Sequence, residues 1–140
     1  APDGGIFSYC FVNQPDLAQT YIVLCCLMGI KFCFSGLQSL RIKETDRIAA
    51  LVAETRKLGF VIEAVGDDSI RWDGTRCQPS SDPISTYKDH RMAMSFAVAS
   101  LAQDNVCIVD PDVVSKSYPS FWDDLRKAGF SISEKLQTII

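Results

Sequence analysis

The chain has 140 residues, 47% hydrophobic and 22% charged, with a formal net charge of −3. That is the size of one domain with a real core. A mildly acidic chain with no Lys/Arg run lacks the footprint of a nucleic-acid binder, and its longest apolar run, Tyr21 to Ile30, is too short to span a bilayer.

The opening Ala1-Pro2-Asp3-Gly4-Gly5 reads as loop and, with no initiator Met, predicts a piece of a longer chain. Aromatic and β-branched residues predict a strand from Ile6 to Val12. Pro15-Asp16 opens an apolar helix from Asp16 to Met28, which Gly29 ends. A strand follows from Ile30 to Phe34, with a turn at Ser35-Gly36. Ile48, Leu51, Val52 and Leu58 recur at helical spacing and predict an amphipathic helix from Glu44 to Leu58. Thr45 or Glu44 can cap its start, and Gly59 stops it. Phe60 to Ala64 and Ser69 to Trp72 read as a strand pair across Gly66-Asp67-Asp68. Beyond a polar loop with Pro79 and Pro83, a helix is expected from Asp89 to Leu101 and a strand from Val106 to Val109. A second helix from Pro119 to Ala128 and a last strand from Phe130 to Ser133 complete the expected order.

The order repeats. Asp16 and Asp89 each open an apolar helix at one sequence shift, and Lys43 and Lys116 lie at the same shift, each between a strand and an amphipathic helix. The expected fold is α/β, with two copies of one unit at residues 6–73 and 84–135.

Cys10, Cys25, Cys26, Cys33 and Cys107 sit in apolar runs, where free cysteine behaves as a small hydrophobe, and Cys77 sits in a polar stretch. With a single His and no metal-ligand spacing, the chain reads as reduced, cytosolic and metal-free.

A helix that is apolar all round is buried. The charged starts of the two apolar helices, Asp16 and Asp89-His90-Arg91, therefore need water or partners. A buried helix N-terminus offers free N–H groups, and Arg91 there favours a bound anion. If the helix begins by Lys43, then Lys43 and Arg47 share a face and repel by about 0.2–0.5 kcal/mol, which an anion between them would reverse. Each feature also has a plain structural reading. Asp16 can be a helix cap, Glu44, Asp46 and Arg47 a solvated first turn, and Arg91 a partner of Asp89. Read this way, the residues alone give an α/β domain with an anion site.

Four strings go further. Leu40-Arg41-Ile42-Lys43-Glu44-Thr45-Asp46-Arg47, Tyr87-Lys88-Asp89-His90-Arg91-Met92-Ala93-Met94, Val114-Ser115-Lys116-Ser117-Tyr118-Pro119 and Pro15-Asp16-Leu17-Ala18-Gln19-Thr20 resemble, in family order, the motifs of EPSP synthases. Members have two similar domains of repeated βαβαββ units with the site between them. The resemblance implies a partial C-terminal domain over residues 1–140. The N-terminal domain would be its partner, and the chain alone would be inactive. The family moves the enolpyruvyl group of phosphoenolpyruvate to the 5-hydroxyl of shikimate 3-phosphate, without metal or organic cofactor, and glyphosate resembles phosphoenolpyruvate. Carried over by motif, Asp16, Lys43 and Glu44 would be catalytic. Asp16, Ser39, Lys43, Arg47, Arg91 and Lys116 would bind substrates, with Ser39 standing where many members have Asn. The rival readings are a UDP-N-acetylglucosamine enolpyruvyl transferase and a non-catalytic anion-binding module. Neither nucleic acid nor membrane is an expected partner.

Overall fold

A computed structural model describes residues 5–103 and 105–133. Its elements, in chain order, are β1 (Phe7–Cys10), α1 (Ala18–Met28), β2 (Phe32–Ser35), α2 (Arg47–Lys57), β3 (Glu63–Val65), β4 (Ser69–Trp72), α3 (His90–Ala97) and α4 (Phe121–Lys127). Short 3-10 turns at Pro15–Leu17, Gln38–Ile42, Val98–Leu101 and Pro111–Val114 join them. The sheet order is β1-β2-β4-β3. β1 and β2 are parallel, which requires a crossover, and α1 supplies it. β4 runs antiparallel to both β2 and β3.

Strand alternation builds the core. In β2, Phe32 and Phe34 point inward while Cys33 and Ser35 are half-buried. Phe34 meets Phe7 and Phe11 edge-on at 5.4 and 5.0 Å, and Phe60 meets Trp72 at 5.6 Å. Such pairs add about 0.5–1.5 kcal/mol beyond burial. Ile22 and Cys26 of α1, Ile48 and Leu51 of α2, and Met92 and Phe96 of α3 complete one cluster. α1 packs on α3, where Gln19 Nε2 donates to Met92 Sδ at 3.2 Å.

One close approach fixes the loops that carry the chemistry. Gly36 has φ +73°, and a Cβ there would stand 2.5 Å from the Val12 backbone nitrogen. Only glycine fits. The chain leaving β1 and the chain leaving β2 therefore run against each other, and the turns at Pro15–Leu17 and Gln38–Ile42 pack together.

Several expectations are corrected. The α2 cap is Asp46, whose carboxylate accepts from the Ala49 N–H at 3.1 Å, rather than Thr45 or Glu44. Helix therefore begins at Arg47, and Lys43 precedes it in extended backbone, so the same-face repulsion does not arise. Val106 to Val109 makes only an isolated parallel bridge between Ile108 and Ile84. The next residue placed to extend that ladder is Thr86, and its hydroxyl rather than its N–H takes the Val109 carbonyl, at 3.0 Å. Phe130 to Ser133 forms no strand: Phe130 donates its N–H to the Leu125 carbonyl, and no neighbouring strand pairs with this segment among the described residues. Phe60 bridges Arg76, which delays β3 to Glu63. α1 is not covered all round, since Tyr21 and Met28 are 44% and 69% exposed. Among the described residues, no helix is long and apolar enough to cross a membrane.

Candidate functional site

Arg47, the first residue of α2, is 2% exposed. A buried guanidinium requires carboxylate partners, because desolvation otherwise opposes the charge. It has three. Nε donates to Asp89 Oδ2 at 2.6 Å and Nη2 to Asp89 Oδ1 at 3.1 Å, a two-pronged grip. Nη2 also donates to Glu44 Oε2 at 2.5 Å, and Nη1 to Asp16 Oδ1 at 3.0 Å. Arginine has five N–H groups, so one remains.

Asp16 draws the cations together. Lys43 Nζ lies 3.8 Å from its Oδ1, and Arg91 Nη2 lies 3.9 Å from its Oδ2. Asp16 is not the cap of its turn, which has Gln14 at that position and no side-chain cap bond. Its carboxylate is 41% exposed and that of Glu44 is 46% exposed, whereas Asp89 is fully buried. The site is therefore a rim of two acids and two cations over a buried Arg47–Asp89 pair. An acid at the start of α1 also sits favourably in the helix field. Arg91 is in the first turn of α3, where a cation is disfavoured, and the Asp89 carboxylate offsets it by accepting the Arg91 N–H at 2.8 Å.

The Glu44 pKa is lowered from the usual carboxylate range. A hydrogen bond from its own backbone N–H is the main cause. Desolvation opposes it, and Arg47, His90 and Lys43 add to it. Glu44 is thus held as the anion. His90 Nδ1 lies 4.0 Å from Asp89.

Asp16, Lys43, Glu44, Arg47 and Arg91 are brought together. Ser39 is half-buried in the turn beside the one that holds Asp16, and makes no side-chain hydrogen bond among the described residues. Lys116 is exposed, two residues past a turn packed on α3, and forms no ion pair among the described residues. Asp89 was missed as a site residue. Its equivalence to Asp16 in the repeat was the available signal, and its reading as a partner of Arg91 did not point to Arg47. Among the described residues, no group of His, Cys, Asp and Glu is arranged to hold a metal ion.

Arg47 keeps one N–H, and Lys43 and Arg91 stand 3.8 and 3.9 Å from Asp16, beyond hydrogen-bonding distance, so the cations keep donors for an anion. Three cations, Lys43, Arg47 and Arg91, face three carboxylates, Asp16, Glu44 and Asp89. An anion bound there would compete with Asp16 for Lys43 and Arg91.

Residues 10–125 match the family model of EPSP synthase (3-phosphoshikimate 1-carboxyvinyltransferase). A 3-phosphoshikimate 1-carboxyvinyltransferase of Bacteroides fragilis is 55% identical over 123 residues, 87% of this chain and 30% of that protein. Enzymes of the same name from Aquifex aeolicus and Cellvibrio japonicus are 40% and 38% identical, over 81% and 84% of this chain and 27% of each protein. The chain spans about 30% of the length of the curated relatives it matches.

Proposed function

The chain belongs to the EPSP synthase family, and on that premise we propose that it is part of an enzyme that transfers the enolpyruvyl group of phosphoenolpyruvate to the 5-hydroxyl of shikimate 3-phosphate. Residues 6–73 and 84–135 are two repeat units of its C-terminal domain, and an N-terminal domain closes the cleft. The observation that carries this reading is the convergence of Lys43, Arg47 and Arg91 on Asp16, beside Glu44.

Asp16 accepts the proton of the attacking hydroxyl as its oxygen bonds to C2 of phosphoenolpyruvate. Glu44 delivers a proton to the methylene carbon, which gives a tetrahedral intermediate. Glu44 then takes a proton back from the methyl group, the double bond re-forms, and phosphate leaves C2. Arg47, Arg91 and Lys116 hold the carboxylate and phosphate of phosphoenolpyruvate. Lys43 and Ser39 hold shikimate 3-phosphate, and Lys43 assists Asp16. These cations face charge that develops in the transition state, and joint binding removes much of the entropy barrier. The empty site holds Glu44 ionised; an anion that draws Arg47 away and adds negative charge raises its proton affinity, as a proton donor needs. Glyphosate, shaped like phosphoenolpyruvate, meets the same cations.

The test is phosphate release from phosphoenolpyruvate by the full-length protein, with shikimate 3-phosphate or UDP-N-acetylglucosamine as acceptor. Turnover is expected with the first only, and Asp16→Asn should lower kcat by about 100-fold or more. Turnover with the second assigns the other transferase, and none with either leaves a non-catalytic anion-binding module.

A further inference from the structure

α2 carries a second buried ion two helical turns from Arg47 on the same face. Glu54 is 1% exposed. Its Oε1 accepts from Lys57 Nζ at 2.7 Å and from the Ser85 N–H at 2.8 Å. Its Oε2 accepts from the Tyr87 hydroxyl at 2.5 Å. Lys57 Nζ also donates to the Pro83 carbonyl at 3.0 Å. Glu54 and its ion-pair partner thus grip the segment that enters α3 at three points.

That segment is strained where it is gripped. Tyr87 and Lys88 are consecutive non-glycine residues with φ of 54° and 58°, the left-handed region that bulky side chains avoid. Asp89 and Arg91 follow at once. The Asp89 N–H donates to the Thr86 carbonyl at 2.8 Å, which closes the turn. Among the described residues neither Glu54 nor Tyr87 hydrogen-bonds or ion-pairs with the site cluster, and the site's own bonds do not account for a buried carboxylate with three donors.

We propose that the Glu54–Tyr87 hydrogen bond is a positioning clasp: it holds Tyr87 and Lys88 in the left-handed conformation and so sets where Asp89 meets Arg47 and where Arg91 meets the bound anion. α2 then grips the α3 entry twice, with Arg47 on Asp89 and with Glu54 on Ser85 and Tyr87. The inference rests on the enolpyruvyl-transfer reading, in which Arg91 meets phosphoenolpyruvate while Lys43 and Ser39 meet shikimate 3-phosphate. Burial and the Glu54 carboxylate push the Tyr87 phenol up to about 12, so the clasp stays protonated through neutral pH.

The test uses the full-length protein. Tyr87→Phe deletes one hydroxyl and keeps the ring, and Glu54→Gln keeps the shape and removes the charge. Each should raise KM for phosphoenolpyruvate about tenfold, since small misplacements of binding groups have large effects, with KM for shikimate 3-phosphate unchanged. Adding Lys88→Asn to Tyr87→Phe should restore the phosphoenolpyruvate KM, because Asn tolerates the left-handed region. An unchanged KM, or a rise in both KM values that follows lost thermal stability and is not rescued, overturns the clasp. If the wild-type protein shows no turnover, the reaction reading falls, and amide exchange decides the clasp separately. In Tyr87→Phe, the Ser85 and Asp89 amides should then exchange about tenfold faster while those of α1 do not; equal rates in variant and wild type overturn it.

Discussion

Arg47 is a buried cation whose donors are nearly all committed to acids on three separate segments. Breaking such an arrangement on one side leaves an unpaired buried charge. Asp89→Ala should therefore destabilise the fold by about 3–5 kcal/mol in urea denaturation. Lys43→Met should stay within about 0.5 kcal/mol, because Lys43 is partly exposed and only 3.8 Å from Asp16. Titration adds two signs. The lowered pKa of Glu44 gives a contribution that is present above the usual carboxylate range and is lost as pH falls through the depressed value, so Glu44→Gln should flatten the acid limb of a stability–pH curve. The raised pKa of Tyr87 gives a contribution that is complete below about 10 and is lost as pH rises towards about 12. Tyr87→Phe should remove that alkaline step from a thermal-melt series.

At the scale of elements, a strand exists only where a partner exists. β2 was readable because Phe32 and Phe34 alternate with Cys33 and Ser35. Val106 to Val109 has equally good strand composition, but its partner segment turns at Thr86, which the local pattern of residues 106–109 could not reveal. The same limit explains Phe130 to Ser133. The start of α2 was misread because Thr45 and Asp46 are both acceptable caps by type whereas Glu44 is a poor one, and the backbone path out of the Gln38–Ile42 turn selects Asp46. The cations of the site were legible through their motif strings, whereas the Asp89–Arg47 grip and the Glu54 anchor join residues far apart in sequence. Phe34→Ala, at the centre of the aromatic cluster, should lower stability by about 3–5 kcal/mol by urea denaturation. Val65→Ala, on the exposed strand β3, should change it by less than about 0.5 kcal/mol.

At the scale of the whole molecule, Tyr9 and Tyr21 are 45% and 44% exposed beside Phe11, and Ile6, Val12, Leu17 and Met28 are exposed as well. The 140-residue polypeptide by itself should self-associate through these exposed apolar residues, with a sedimentation coefficient that rises with concentration. Within the full-length protein the decisive property is what the rim cations hold. Calorimetric titration of phosphoenolpyruvate into the full-length protein saturated with shikimate 3-phosphate, with Asp16→Asn present to stop turnover, tests this most directly. The prediction is saturable binding that Arg91→Met weakens about tenfold or more, the loss of one charged hydrogen-bonding partner. Binding of equal strength with and without Arg91 would contradict it.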